Sequence, residues 1–384
     1  MYAWYIEDTS IYSHISDFNK ANDEYEVQLT EYTQFEEPLI KLNADITSGN
    51  APDILVASQA MPIENYISKG LIADLYEFID NDPDMSREDF LGSVFHSNER
   101  DGRLCKLTPS FFIQTLIGKT ALIGDRQGMS AEEFIELADK YPDKQLFSNN
   151  ITKSEALYMF TQFGYSSYID RSIGKCSFDS DSFISLLEFC GSFPDEFTGI
   201  PAEAEQSSEV GLRDGTILLS YGHIFMSFDQ IRFFEQYVFG EPVTFAGFPG
   251  IDGSGAVFYP STEEFCMFEN SPVKEGAWDF LKYYLSEEYQ DKAVDFPVRM
   301  SSLEKLAEEA KKEREEYSFG ANTDEDNQRI FGLLDSAAGS MNFDRNINAI
   351  ITEEASAYFL GQKSANETAE IIQNRVQNYL DENR

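Results

Sequence analysis

Histidine is scarce in this sequence: His14, His96 and His223 are the only three in 384 residues. A Ser-His-Asp triad or a histidine-rich metal site therefore has few places to start. No HExxH, GxSxG or phosphate-cradling GxxxxGK[ST] occurs either. Cysteine is equally sparse. Cys105, Cys176, Cys190 and Cys266 stand far apart and form no CxxC pair, which leaves no readable zinc ribbon or thioredoxin-like motif. Their apolar neighbours, as in Glu-Phe-Cys-Met-Phe around Cys266, favour buried free thiols, with one or two disulfides as the alternative. No segment reaches the ~18 consecutive apolar residues of a membrane helix, and the opening Met-Tyr-Ala-Trp-Tyr-Ile-Glu-Asp has no basic n-region or cleavage site. Taken literally the first residues fit a cytoplasmic chain, or one whose export signal has been trimmed. Basic residues are also few: 29 lysines and arginines face 68 aspartates and glutamates, a net charge of −39. That field repels phosphate backbones and anionic lipid headgroups, so nucleic acid and direct lipid binding are disfavoured. It tolerates neutral or cationic ligands, and it also simply solvates a surface.

What remains is ample material for folding. A chain of this length exceeds what one core supports, so two domains are expected. The first hundred residues alternate: Tyr2 to Glu7 reads as a strand, Ser10 to Asn22 as a helix, Tyr25 to Thr33 as a strand, Phe35 to Ser48 as a helix and Asp53 to Ala57 as a strand. Strands separated by helices of that length run parallel with right-handed crossovers. Ligands on such sheets bind at the strands' carboxyl ends, here Asp8 to Ser10, Thr33 to Gln34 and Ser58 to Met61.

Beyond Thr108-Pro-Ser the pattern changes to an apolar run, Phe111 to Ile117, and short helices such as Ser130 to Tyr141, opened by the capping box Ser130-x-x-Glu133. A second sheet is signalled by Thr216 to Tyr221 and Val243 to Ala246, with a helix carrying Phe225, Phe228, Ile231 and Phe234 between them. Ala256 to Phe268 reads as two short strands and Pro272 to Val294 as one helix. After Pro297 the chain reads as helical. Ser301-x-x-Glu304 and Ser364-x-x-Glu367 are further capping boxes, and Gly361 ends a helix.

The weaker signals have plain readings. Gly253-Ser-Gly255 lacks the third glycine of a dinucleotide loop and is best read as a turn. Asp80-Asn-Asp82-Pro-Asp84 opens like a calcium loop, but Met85 and Leu91 stand where the glycine and bidentate glutamate belong. Paired carboxylates for glycoside hydrolysis are neither supported nor excluded by spacing. Ala365, Ala369, Ile372, Val376 and Leu380 form a stripe expected to face a core. No cofactor or metal is expected.

Several stretches, in order, resemble the extracellular solute-binding proteins, family 1, of bacterial ABC importers. They are Trp4 with Asp8; Ser48-Gly-Asn-Ala-Pro-Asp-Ile-Leu55; Tyr66-Ile-Ser-Lys-Gly-Leu-Ile-Ala-Asp-Leu75; the Asp101-Gly102 turn before Leu104 to Pro109; Gly247-Phe-Pro-Gly250; Ala277-Trp-Asp-Phe-Leu281 running to Tyr289-Gln290; and Ile371-Ile-Gln-Asn-Arg-Val376 running to Tyr379-Leu380. The resemblance implies an α/β, two-lobed type 2 periplasmic-binding-protein fold with an interlobe ligand cleft. Residues 1–109 with 253–296 would form one lobe, and 112–250 with 297–384 the other. It further implies a lipid-anchored monomer on the extracellular face of the cytoplasmic membrane, delivering its solute to ABC permease subunits. The lipobox cysteine is missing.

A cleft for sugars needs flat apolar faces and fixed polar groups. The candidates are Trp4, Asp8, Thr33, Ser58 and Gln59 at the first three strand ends. From the second lobe come Tyr221, His223, Phe111 and Phe248, and Arg299 completes the set. Each has a structural alternative: Trp4 and Phe111 as core, His223 as a turn residue, Arg299 as half of a surface ion pair. Trp278 is expected to pack in the core. Three functions compete: capture of a small solute, read as a mono- or oligosaccharide, by lobe closure for delivery to an ABC permease; a glycan-acting hydrolase; and a ligand sensor feeding a membrane kinase.

Overall fold

The computed structural model describes the chain except residues 5, 7–9, 33–36, 59–60, 127, 148–150, 165–167, 171–172, 196–200, 222–223, 249–255, 313–318, 340–344 and 383–384, and the side chains of 162–164, 201–207, 338–339 and 345. It divides into two units, Met1–Phe112 with Tyr259–Glu309, and Ile113–Phe258 with Ala310–Arg384.

In the first unit the strands β1 (Tyr2–Trp4), β2 (Thr30–Tyr32) and β3 (Ile54–Ala57) alternate with the helices α1 (Ser10–Ala21) and α2 (Pro38–Thr47). β1 lies parallel to both β2 and β3, and Glu264–Met267 adds an antiparallel edge beside β3. The expected βαβαβ order is therefore present. β1 and β3 bury Tyr2, Ala3, Ile54, Leu55 and Val56, as interior strands covered on both faces must, whereas β2 exposes Thr30 and Glu31 at the edge. The strand expected from Tyr25 shrinks to three residues because a side chain takes its hydrogen bonds. Asn19 of α1 donates to the Val27 carbonyl at 2.9 Å and accepts the Val27 amide at 2.7 Å.

The expected helix from Pro272 to Val294 is broken. Lys274–Leu281 passes into a 3-10 turn, Lys282–Leu285, after which Ser286 turns extended and its hydroxyl caps Glu287–Gln290 by accepting the Tyr289 amide at 3.3 Å. Trp278 is buried and its indole donates to Asp82 Oδ2 at 3.0 Å. Residues 297–309, expected in the second lobe, belong to the first unit. Backbone bonds hold them there: the Leu91 amide donates to the Val298 carbonyl at 2.8 Å and the Val298 amide to that of Pro109 at 3.4 Å. Ser301 caps nothing; it lies inside the helix Met300–Ala310 and donates to Glu287 Oε1 at 3.2 Å.

The second unit holds an antiparallel sheet in the order Leu219–Ser220, Ile117–Lys119, Val243–Phe245. Phe225 and Phe228 are not helical as expected. Phe225 ends the strand Ile224–Phe225, and the helix starts only at Gln230, running through a π-helical turn, Phe234–Phe239, to the left-handed Gly240. The region after Pro297 also contains a strand, Ala337–Gly339, parallel to Ala256–Phe258. The capping boxes at Ser130 and Ser364 form reciprocally, and Gly361 has the left-handed φ of 69° that ends Arg345–Phe359. Ala365, Ala369, Ile372 and Val376 are buried along the last helix. All four cysteines are free thiols, with Cys176 half-buried and the others buried. Among the described residues no helix is long and apolar enough to cross a membrane.

Candidate functional site

In the first unit the sheet's carboxyl edge carries Trp4, which is half-buried against a cluster containing Tyr2, Leu42, Leu55 and Met61. The ring is packed yet keeps an exposed portion. Tyr32, paired with Trp4 across the parallel strands, stacks on Tyr2 with ring centroids 5.1 Å apart. After β3 the chain turns at Ser58, half-buried, whose carbonyl accepts the Met61 amide at 2.9 Å. Asp8, Thr33 and Gln59 lie outside the described residues.

Two residues beside this edge had no sequence signal. Glu31 of β2 accepts the Tyr12 hydroxyl at 2.6 Å and the Ile6 amide at 3.4 Å, tying α1 and the exit of β1 to the edge strand. The hydrogen bond to Glu31 pushes the exposed Tyr12 phenol up to about 12, since ionising it would place two negative charges together.

In the second unit Tyr221 follows Leu219–Ser220 and is 38% exposed. It stands edge-on to Phe248 at 6.5 Å. The turn beneath is fixed by the Gly247 amide, which donates to the Thr115 hydroxyl at 3.1 Å. Burial is the main reason that the Tyr221 phenol sits above its ordinary range, with the charges of Tyr158 and Glu155 adding to it. His223 lies outside the described residues.

Three expected contacts are corrected. Phe111 is completely buried against Phe296, with ring centroids 5.8 Å apart, and Phe248 is 2% exposed beneath Tyr221. Neither ring has a free face to offer. Arg299 is occupied within its own unit: Nη1 donates to the Leu285 carbonyl at 3.1 Å, Asp89 and Glu287 lie within 4.0 Å, and the guanidinium sits 5.5 Å over Phe90. The calcium-like stretch is likewise engaged, since Arg87 grips Asp80 through two bonds of 2.7 and 2.5 Å. Among the described residues no group of three His, Cys, Asp or Glu side chains is placed to hold a metal.

Residues 14–316 match the model of a family described as bacterial extracellular solute-binding protein. The chain belongs to this family. Its members are transport binding proteins. No curated protein is matched. Among solved structures, the chain is similar to the sugar-binding protein MalE from Xanthomonas citri, with TM-score 0.62, 14% identity, and 99% and 97% of the two chains covered. An ABC transporter solute-binding protein from Thermotoga lettingae, bound with alpha-D-tagatose, gives TM-score 0.56, 17% identity and 99% and 98% coverage. The cyclic alpha-maltosyl-1,6-maltose binding protein from Arthrobacter globiformis gives 0.57, 14%, and 100% and 99%. The α/β fold of periplasmic binding proteins thus extends over essentially the whole chain.

Proposed function

We propose that this solute-binding protein captures an uncharged mono- or oligosaccharide outside the bacterial cell, hands it to the permease subunits of an ABC importer, and performs no chemistry on it. The observation that carries this reading is the pair of partly exposed rings at strand ends, Trp4 in one unit and Tyr221 in the other. Rings suit the C–H faces of pyranoses, and fixed polar groups suit their hydroxyls. The chain's charge of −39 disfavours anionic solutes. The fold shared with a solute-binding protein bound with tagatose and with a cyclic alpha-maltosyl-1,6-maltose binding protein supports the sugar class. Asp8, Thr33, Ser58, Gln59 and His223 remain proposed contacts by position. The protein acts as a monomer held by a lipid anchor at the outer face of the cytoplasmic membrane.

A thermal-shift screen over mono- and oligosaccharides tests the reading. Ligand at a hundred times Kd adds ~2.7 kcal/mol of stability. Stabilisation only by peptides or polyamines overturns the sugar class, and release of product from a chromogenic glycoside overturns the non-enzymatic role.

A further inference from the structure

The backbone ladder between β1 and β2 ends at the pair Trp4 and Tyr32. Past that pair a side chain takes over. Glu31 of β2 accepts the amide of the buried Ile6 on Oε1 at 3.4 Å, and on Oε2 it accepts the hydroxyl of Tyr12, in the first turn of α1, at 2.6 Å. One carboxylate thus ties the exit of β1 and the start of α1 to the edge strand. Both of its oxygens are engaged within the unit, and bonds to an ionised acceptor are stronger than neutral ones. Trp4 lies two residues before Ile6 on the same strand. Its backbone is therefore held by the ladder on one side and by the Glu31 bond on the other, at the carboxyl end where solutes bind on such sheets.

We infer that Glu31 is a positioning residue for solute capture: by holding Ile6 and Tyr12 it sets the backbone from which the Trp4 ring projects, and so preorganises that ring for a sugar without touching the sugar itself. This inference rests on the saccharide reading of the Trp4 edge. A ring fixed before the solute arrives need not be ordered on binding, which raises affinity by removing a cost and adds no contact. The competing role for an exposed glutamate on an edge strand is to discourage pairing with another chain. That role needs the charge alone, whereas positioning needs the two bonds.

Fluorine NMR of protein labelled with 5-fluorotryptophan tests the positioning directly, because the sequence has two tryptophans, Trp4 and Trp278. Trp4→Phe assigns the two signals. Glu31→Ala should move or broaden the Trp4 signal and leave that of Trp278, which is buried and bonded to Asp82. Calorimetric titration with D-tagatose, maltose and maltotriose measures the consequence. Those that the wild type binds should bind Glu31→Ala about fivefold more weakly, the scale of one lost hydrogen bond. Tyr12→Phe, which keeps the charge, should give part of that loss and add nothing to Glu31→Ala, since the two side chains act through one bond. Glu31→Gln, which drops the charge but keeps an acceptor, should recover part of the affinity. Melting temperatures should hardly change, because Tyr12 and Glu31 are both exposed. Weaker binding by Glu31→Ala with an unmoved Trp4 signal would overturn the positioning role and make Glu31 a direct contact. A shifted signal with unchanged affinity would overturn its part in capture while leaving sugar binding standing. Failure of every saccharide tried to bind the wild type would overturn the saccharide reading and this inference with it.

Discussion

Lys106 Nζ lies 3.0 Å from Glu264 Oε2 with only 8% and 4% of the two side chains exposed. The pair is completed by Thr108, whose hydroxyl donates to Glu264 Oε1 and accepts from Asn98 Nδ2 at 2.8 Å. Glu264 sits on the antiparallel edge strand next to β3, and Lys106 and Thr108 lie on the neighbouring segment that pairs with Phe265. The network therefore fastens that segment to the sheet from inside. Burying a charge pair is costly, and its partners offset that cost only while both are present.

Removing one charge should accordingly be far worse than removing both. Glu264→Leu strands a buried ammonium and should cost ~3–5 kcal/mol of unfolding free energy. Adding Lys106→Met should recover much of the loss. Urea denaturation of the two single variants and the double one measures the coupling, and additive losses would contradict a mutually compensated pair.

Gly118 offers a second test. It lies in the central strand of the second unit's sheet, opposite Leu219 and Thr244. A Cβ there would stand 2.7 Å from the Leu218 carbonyl oxygen and 2.9 Å from Ile123 Cδ1. The carbonyl belongs to backbone and cannot swing aside, so Gly118→Ala should destabilise by ~1–3 kcal/mol despite its lower chain entropy when unfolded. Gly332→Ala, with nothing within 4 Å, is the matched control that should be neutral or stabilising.

Two glutamines of the last helix should control a hairpin's local stability. Gln373 accepts the Phe178 amide at 2.7 Å and donates to the Cys176 carbonyl at 2.9 Å, while Gln377 donates to Gly174 at 2.9 Å. They serve the strands Ile169–Asp170 and Lys175–Cys176 as a neighbouring strand would. Gln373→Ala should leave both groups without these partners and cost ~1–3 kcal/mol. Faster amide exchange at Phe178 in that variant, with protection unchanged in the first unit, is the expected reading.

Where sequence periodicity carried the fold, it did so because the cause is local. β1, β2 and β3 with their helices follow from the spacing of apolar residues, and Ser130 and Ser364 cap as their own neighbours dictate. Ser301 carries the same spacing to Glu304 yet caps nothing, because its hydroxyl finds Glu287 fourteen residues earlier. Val27 loses its strand to Asn19 by the same kind of competition. Among the proposed contacts, Tyr221 was expected at a strand end, and it follows Leu219–Ser220. Phe111, expected at the crossing, and Phe248, expected before a proline, are buried by Phe296 and Tyr221, contacts that no local pattern reveals.

His14 supplies the pH test. Its imidazole lies between Phe280 and Tyr283, with ring centroids 4.4 and 4.1 Å away, and Tyr284 stands edge-on at 5.0 Å. Nε2 meets the Phe280 carbonyl at 3.1 Å, which requires the proton on that nitrogen when the ring is neutral. Burial holds its pKa below the ordinary 6.5, against the weaker upward pulls of the Phe280 carbonyl and Asp17. The unfolded chain therefore takes up the proton at a higher pH than the folded one. The stability that His14 contributes is complete above 6.5 and is lost as pH falls below that value through the folded pKa, levelling off beneath it. Melting temperatures of wild type and His14→Gln, measured from pH 8 down to about 5, should converge over that window as the wild type loses its advantage. A parallel pair of curves would show that the ring's protonation is not linked to folding, and a wild type gaining on the variant in acid would mean that the cage stabilises the imidazolium instead.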